Sequence, residues 1–193
     1  DDLGFLAEDD FDAARALVAS NVASYSFSGE TLEDLTDAMI RADQAGETAA
    51  AHRWVGKAVA LSDRADLWTA YAGRALARAG DGNNNERRKL RRAALQAAIN
   101  GYLRADQPGL RVEALRLMAQ ALEVNNRGRD MIPALRLALD ITPRDDLEAA
   151  LEEAIGKYGF RVTEHRVDNN AAAPRICTEF SEQLVQAGVD YEP

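Results

Sequence analysis

Alanine is the feature of this sequence that most restricts its fold. Of the 193 residues, 37 are alanine, and most of these precede residue 155. Leucine, arginine and glutamate, which also favour helices, surround them. Because alanine lets helix backbones approach closely, the pattern predicts short helices packed in antiparallel pairs.

Capping residues and glycines mark where these helices begin and end. Thr31 and Asp34 form a capping-box pattern, and Gly46 ends the helix that they begin. A second helix is expected from 48 to 61, with Asp63 or Asp66 capping the next one, which ends near Gly80. Further helices are expected from Asn85 to just before Pro108, from about 110 to 124, from 130 to 140, and after Pro143 as far as Gly159.

The spacing of small and large residues in this region repeats. Residues 46–75 have the pattern of a tetratricopeptide repeat passing into its successor, with Asp63 where proline is usual. A second match covers 115–143, with Pro143 at the proline position, and an insertion at 80–85 breaks the 34-residue period. The expected fold is therefore mainly α, a degenerate tetratricopeptide-like solenoid of helical hairpins.

The periodicity changes after Gly159. Residues 160–167 alternate between apolar and polar, and a second strand is expected at 175–180, opened by Pro174 after a loop of Asn and Ala. Two strands alone are marginally stable in water. We therefore expect a helical domain at 1–158 and, at 159–193, a β-hairpin that begins a truncated β-sandwich.

Charge and hydropathy restrict the partners. With 32 acidic and 23 basic side chains the net charge is -9, which repels a phosphate backbone, so nucleic acid is not an expected partner. No apolar run approaches the roughly 20 residues of a membrane-spanning helix. The chain begins without methionine or a leader, and the sheet is unfinished, so we expect an excised segment of a longer protein.

Candidate catalytic and metal-binding residues are few and scattered. His52 lies on a predicted helix face and His165 on a strand, and both are interpreted as surface histidines, not as catalytic or zinc-binding residues. Cys177 alternates into a strand, which favours a buried or half-buried thiol over a nucleophile. The loop 81–86 starts like a calcium loop but has Glu86 where glycine is needed, so no metal is expected.

Two further features are given structural roles. The basic run 86–92 has no interleaved aromatic residue, so we interpret it as a solvated face or an ion-pair network around an inward Leu90. Trp54 and Trp68 are expected to fill the gap between paired helices instead of stacking on a ligand. Because phosphate loops and nucleophile elbows are absent from the sequence, we expect neither enzymatic activity nor a cofactor.

Several motifs resemble the helical region of bacterial alpha-2-macroglobulins and the start of their first macroglobulin-like β-sandwich. The resemblance covers nearly the whole chain and is most specific over 127–191. It is carried by Asn85-Glu86-Arg87-Arg88, by residues 127–138, by Pro143-Arg144-Asp145-Asp146, by residues 154–162, and by residues 173–177, 180–182 and 187–191.

This resemblance implies a non-catalytic scaffold or docking segment of a protease inhibitor that traps proteases in the periplasm. Members of the family are often attached to the inner membrane, which here would require an N-terminal segment absent from this sequence. The family's thioester needs Cys-x-Glu-Gln, and here Cys177 is followed by Thr178, Glu179 and Phe180, so no thioester can form at this cysteine. The resemblance instead implies a disulfide between Cys177 and a later cysteine of the same sandwich. Implied partners are other domains of the chain, target proteases through the parent protein, and a peptidoglycan-synthesising enzyme.

Two alternatives stay open at this point. The chain is a stand-alone tetratricopeptide-like adaptor for protein partners, carrying a short β extension, or it is part of an enzyme whose catalytic residues lie elsewhere. The lone cysteine, the ragged start and the unfinished sheet favour the inhibitor segment over both.

Overall fold

A computed structural model describes residues 2–160, 162–168 and 175–180. Within them the chain is mainly helical, with one small antiparallel sheet, as the sequence predicts. The elements are α1 (Glu8–Ser24), α2 (Leu32–Gln44), α3 (Thr48–Leu61), α4 (Ala65–Asp81), α5 (Asn84–Arg104), α6 (Pro108–Val124), a 3-10 turn at Gly128–Asp130, α7 (Met131–Ile141), α8 (Asp145–Tyr158), β1 (Val162–Asp168) and β2 (Arg175–Phe180).

The start and end of α2 follow the predicted capping signals. Thr31 Oγ1 accepts a hydrogen bond from the Asp34 amide at 3.1 Å, and Asp34 Oδ2 accepts one from the Thr31 amide at 2.8 Å. Gly46 lies beyond the last turn with φ of 72°, a left-handed conformation that costs glycine little. The next helix then covers 48–61, as expected.

One local expectation was wrong, and one helix had no prediction of its own. Neither Asp63 nor Asp66 caps α4, because Arg64 occupies the N-cap position and both carboxylates hydrogen-bond to side chains. No separate helix was delimited before Thr31, although residues 1–158 were expected to be helical, and the structure places α1 there. It begins after Ala7, and its capping contact is made by Asp10, whose Oδ2 accepts a hydrogen bond from the Ala7 amide at 3.0 Å.

Small residues bring the helices close together. Helix α1 packs on α3 and α5, α4 packs on α5 and α6, and α7 packs on α6 and α8. The core is continuous from Leu3 to Ala154. Its largest fully buried side chains are Trp68, Leu35, Ile99, Leu115, Met118, Leu122, Leu135, Leu147, Val55 and Val112, and many core alanines are equally inaccessible. Buried alanines thus line the contacts between helices, as the sequence predicts.

The sheet is a two-stranded antiparallel ribbon. Val162 pairs with Phe180 and Arg166 pairs with Cys177, with an irregularity between Val162 and Glu164. The Phe160 ring stacks on that of Phe180 at a centroid distance of 5.1 Å. The expected loop at 169–174, with its Pro174, and the motif residues at 181–193 lie outside the described residues. In the described part of the chain, no helix combines the length and apolarity needed to cross a membrane.

Candidate functional site

Residues from two separate sequence motifs lie close together near the end of the last helix, just before the hairpin. The turn between α6 and α7 contains Arg127, whose Nη1 donates to Asp10 Oδ1 at 2.7 Å and whose Nε donates to Asp130 Oδ2 at 2.8 Å. Desolvation opposes its charge, but the hydrogen bonds to the two carboxylates outweigh it and raise the pKa of Arg127. One guanidinium therefore ties the start of α1 to the α6–α7 turn.

The last turn of α8 is fastened to α6 at the same place. Glu123 Oε1 accepts hydrogen bonds from Lys157 Nζ at 2.6 Å and from the Tyr158 hydroxyl at 2.9 Å. Both bonds lower the pKa of Glu123, and the bond from Lys157 has the larger effect. In return the bond to Glu123 raises the pKa of Lys157. The pairing fixes the end of the helix from which the hairpin departs.

Gly128 explains how the turn and the helix end fit together. A Cβ at this position would collide with the Tyr158 ring, so only glycine allows the ring to lie flat against the turn. Beside this contact is a cleft of ≈ 460 Å³, lined by Glu123, Asn126, Arg127, Gly128, Arg129, Asp130 and Tyr158. We call this cluster the junction. It contains residues 127–130 and 157–158, which belong to the segments 127–138 and 154–162 that carry the resemblance.

A second surface with specific polar contacts is the face of α3 and α5 that α1 covers. Asn21 Nδ2 donates to the Gly56 carbonyl at 2.7 Å, and Asn100 Nδ2 donates to the Ala14 carbonyl at 2.8 Å. Both asparagines are buried, so these bonds satisfy amides that would otherwise be unpaired away from water. They set the position of α1 along the two helices beneath it.

The interpretation of His52 as a surface residue was wrong. It is 8% exposed and packs against the Tyr71 ring at 4.7 Å, with Arg78 Nη1 lying 3.4 Å from its Nδ1. Because a guanidinium only donates, Nδ1 is the acceptor and the proton is on Nε2. Burial, with the Arg78 charge second, lowers the pKa of His52 to about 4. His52 is therefore a neutral core histidine; His165 is exposed, as predicted.

The tryptophans are packed as expected. Trp68 is completely buried and Trp54 is half-buried against the core. The indole N–H of Trp68 donates a hydrogen bond to Asp63 Oδ1 at 2.6 Å. The same oxygen forms an ion pair with Arg104 Nε at 2.6 Å. Desolvation raises the pKa of Asp63, but the bonds from Arg104 and Trp68 outweigh it, so the net shift is downward.

Some side chains of the basic run on α5 are paired with other groups, and others are exposed to solvent. Leu90 points inward, as predicted. Glu86 pairs with Arg78, while Arg87 and Arg91 donate to backbone carbonyls at the ends of α4 and α6, at 3.2 Å each. Arginines thus satisfy helix C-termini as well as carboxylates. The other basic side chains of the run, Arg88, Lys89 and Arg92, are exposed.

The remaining predicted sites are Cys177 and the acidic loop. Cys177 is exposed, which corrects the expected burial, and its proposed disulfide remains a prediction. In the loop, Asn83 caps α5 by accepting from the amides of Asn85 and Glu86 at 3.1 and 3.0 Å. Among the described residues, no group of His, Cys, Asp or Glu is placed to hold a metal ion.

Comparisons with protein-family models, with curated proteins and with solved structures gave no match to this chain.

Proposed function

We propose that this chain is the helical scaffold segment of a bacterial protease inhibitor of the alpha-2-macroglobulin type. In this role it performs no chemistry. Its helices form a rigid unit, organised as tetratricopeptide-like hairpins, that holds the first β-structure of the inhibitor in a fixed direction. That β-structure is the hairpin formed by β1 and β2, extended into a sandwich by further strands.

The observation that carries this proposal is the junction. Residues 127–130 and 157–158, which are separated in sequence, meet at the end of α8, directly before β1. The contacts there position the helix end: Arg127 pairs with Asp10 and Asp130, Glu123 pairs with Lys157, and the Tyr158 ring lies against Gly128. A scaffold needs such contacts because a helix end that frays would not direct the chain that follows it.

The exposed aromatic residue at the start of the hairpin also supports a larger β-structure. Phe160 and Val162 are each 53% exposed, and a two-stranded ribbon gains little stability by itself in water. Neighbouring strands would cover these side chains. The disulfide partner proposed for Cys177 would lie in the same sandwich.

A stand-alone adaptor for protein partners is the second candidate. It is favoured by the arrangement of α1, which lies across α3 and α5 as a helical ligand lies across a helical-hairpin surface. The two candidates differ in whether the chain is part of a much longer polypeptide or forms a protein by itself.

The test is to identify the native gene product with an antibody raised against this chain. The proposal predicts a much longer, exported polypeptide, in which proteolysis triggers a rearrangement that traps the protease. A Cys-x-Glu-Gln peptide that reacts with methylamine would add covalent capture, and a long exported chain without that peptide would retain trapping alone. A cytoplasmic product of about this length would refute the inhibitor and leave the adaptor.

A further inference from the structure

Two arginines of α5 are held in place by backbone carbonyls at the ends of neighbouring helices. Arg87 Nε donates to the Ala79 carbonyl and its Nη2 donates to the Gly82 carbonyl, at 3.2 Å each. Arg91 Nη1 donates to the Val124 carbonyl at 3.2 Å. Because residues four apart are neighbours on a helix surface, the two side chains leave α5 side by side, towards the ends of α4 and α6.

Neither of these guanidinium groups has a carboxylate partner in the part of the chain that the structure describes. The carboxylates close to Arg87 in sequence are engaged elsewhere. Asp81 accepts a hydrogen bond from Thr48 at 3.0 Å. Glu86 pairs with Arg78. Both α5 arginines are half-buried, and like charges one turn apart repel each other, so an anion between them would relieve this repulsion.

The same two arginines line a cleft whose other walls are apolar. Its volume is ≈ 330 Å³, near the lower end of the roughly 300–1,000 Å³ that is typical of small-ligand sites. The apolar walls come from the end of α4 and the end of α6: Leu76, Ala79, Gly80 and Val124. Gly80 borders open space, since a Cβ at this position would meet no atom within 4 Å. The cleft therefore presents positive charge beside apolar surface.

We propose that this cleft, here called the Arg87 cleft, binds a carboxylate that carries a small branched apolar group. The carboxylate lies between Arg87 and Arg91 and accepts hydrogen bonds from the N–H groups that the backbone carbonyls do not use. The apolar group lies against Leu76 and Val124. Two sources have this chemistry, namely a free branched-chain carboxylic acid and the C-terminal residue of a peptide or protein partner.

Other anions fit the Arg87 cleft less well. Inorganic phosphate would place oxygens against apolar walls, which cannot donate hydrogen bonds to them. A nucleic acid would be repelled by the net charge of -9, and none of the described residues that line the cleft is aromatic and able to stack on a base. A carboxylate needs only the paired donors of the guanidinium groups, and its apolar group accounts for the remaining walls.

Isothermal titration calorimetry of the full chain tests the proposal with 4-methylpentanoate as the free acid and N-acetyl-leucine as the peptide terminus. For ligands of this size, we expect a dissociation constant on the order of millimolar. The uncharged amides of both compounds should bind at least about tenfold more weakly, because they lose the charge-assisted hydrogen bonds. Whichever of the two acids binds more tightly identifies the source.

Three variants assign the binding to the cleft. Arg91→Gln should weaken it at least about tenfold. The matched control is Arg88→Gln, at an exposed arginine of the same run that does not line the cleft, and it should change the affinity by less than about twofold. Gly80→Leu fills the cleft and keeps both arginines, so it should abolish binding, and leucine is a better helix former than glycine at this position. Circular dichroism and urea unfolding establish that each variant is folded.

Several results would each overturn the proposal. They are equal binding of the acids and their amides, binding that survives Gly80→Leu in a folded variant, and inorganic phosphate that binds as tightly as the acids. Absence of any binding heat, together with unchanged nuclear magnetic resonance signals of the arginine Nε–H groups at ligand concentrations well above millimolar, would overturn it as well.

Discussion

Acidification should destabilise the fold through His52. The folded chain holds this imidazole neutral, with its pKa lowered to about 4 from 6.5, because it is buried beside the Arg78 guanidinium. A histidine whose folded pKa is depressed stabilises the fold above its unfolded pKa, and this contribution is lost as pH falls from about 6.5 towards 4. Linkage gives a loss of about 2 kcal/mol between pH 7.5 and pH 5, rising to about 3 kcal/mol below pH 4.

The assay is urea unfolding of the full chain, followed by circular dichroism at pH 7.5 and pH 5. His52→Phe keeps an aromatic ring against Tyr71 but removes the titrating group, so its unfolding free energy should fall by about 2 kcal/mol less than that of the wild type over this range. Restricting the range to pH 5 and above limits the contribution of carboxylates, whose protonation dominates at lower pH. If wild type and His52→Phe lose the same stability, His52 is not neutral and buried as described.

Three further predictions, two of them with a control substitution, test the core and the junction. Leu135→Asp places an unpaired charge at a position only 2% exposed and should lower the free energy of unfolding by about 4 kcal/mol or more, measured by heat or urea. As a control, Arg88→Ala at an exposed position should change it by less than about 0.5 kcal/mol. An unchanged melting temperature for Leu135→Asp would show that the helix register is wrong. Gly128→Val should cost about 1–3 kcal/mol by displacing the tyrosine ring, while Gly109→Ala, where the added methyl group meets open space, should be neutral or slightly stabilising; equal effects would argue against the ring contact. Asp63→Ala removes the acceptor of the buried tryptophan indole N–H and should cost about 1–3 kcal/mol with a red shift in tryptophan fluorescence, and unaltered fluorescence would contradict this bond.

Local signals predicted most helices because the residues that determine them are near in sequence. The capping box at Thr31, the glycine at 46 and the alanine-lined faces of α3 to α8 all lie within or beside the helix that they specify. Helix α1 lacked a capping signal, since Ala7 precedes it, although Phe11, Ala14, Leu17 and Val18 have the spacing of an apolar helix face. Its place is determined by distant partners, such as Arg127 and Asn100.

The same distinction explains the misassigned side chains. Asp63 matched a capping pattern, but in the folded chain its Oδ1 accepts a hydrogen bond from Trp68 and forms an ion pair with Arg104 of another helix. His52 could have been placed correctly, because it lies three and four residues before Val55 and Gly56, within the buried stripe of α3. The junction was unpredictable as a cluster, since nothing local indicates that residues 127–130 meet the end of α8.

A distance measurement across the junction tests the scaffold role most directly. Spin labels would be placed at the exposed Cys177 on β2 and at an exposed cysteine introduced by Glu152→Cys on α8, and pulsed electron spin resonance would give their separation. The proposed scaffold predicts one narrow distribution in the full chain, which broadens when Gly128→Val releases the helix end. A broad distribution in the otherwise unaltered chain would contradict the claim that the helices hold the hairpin in a fixed direction.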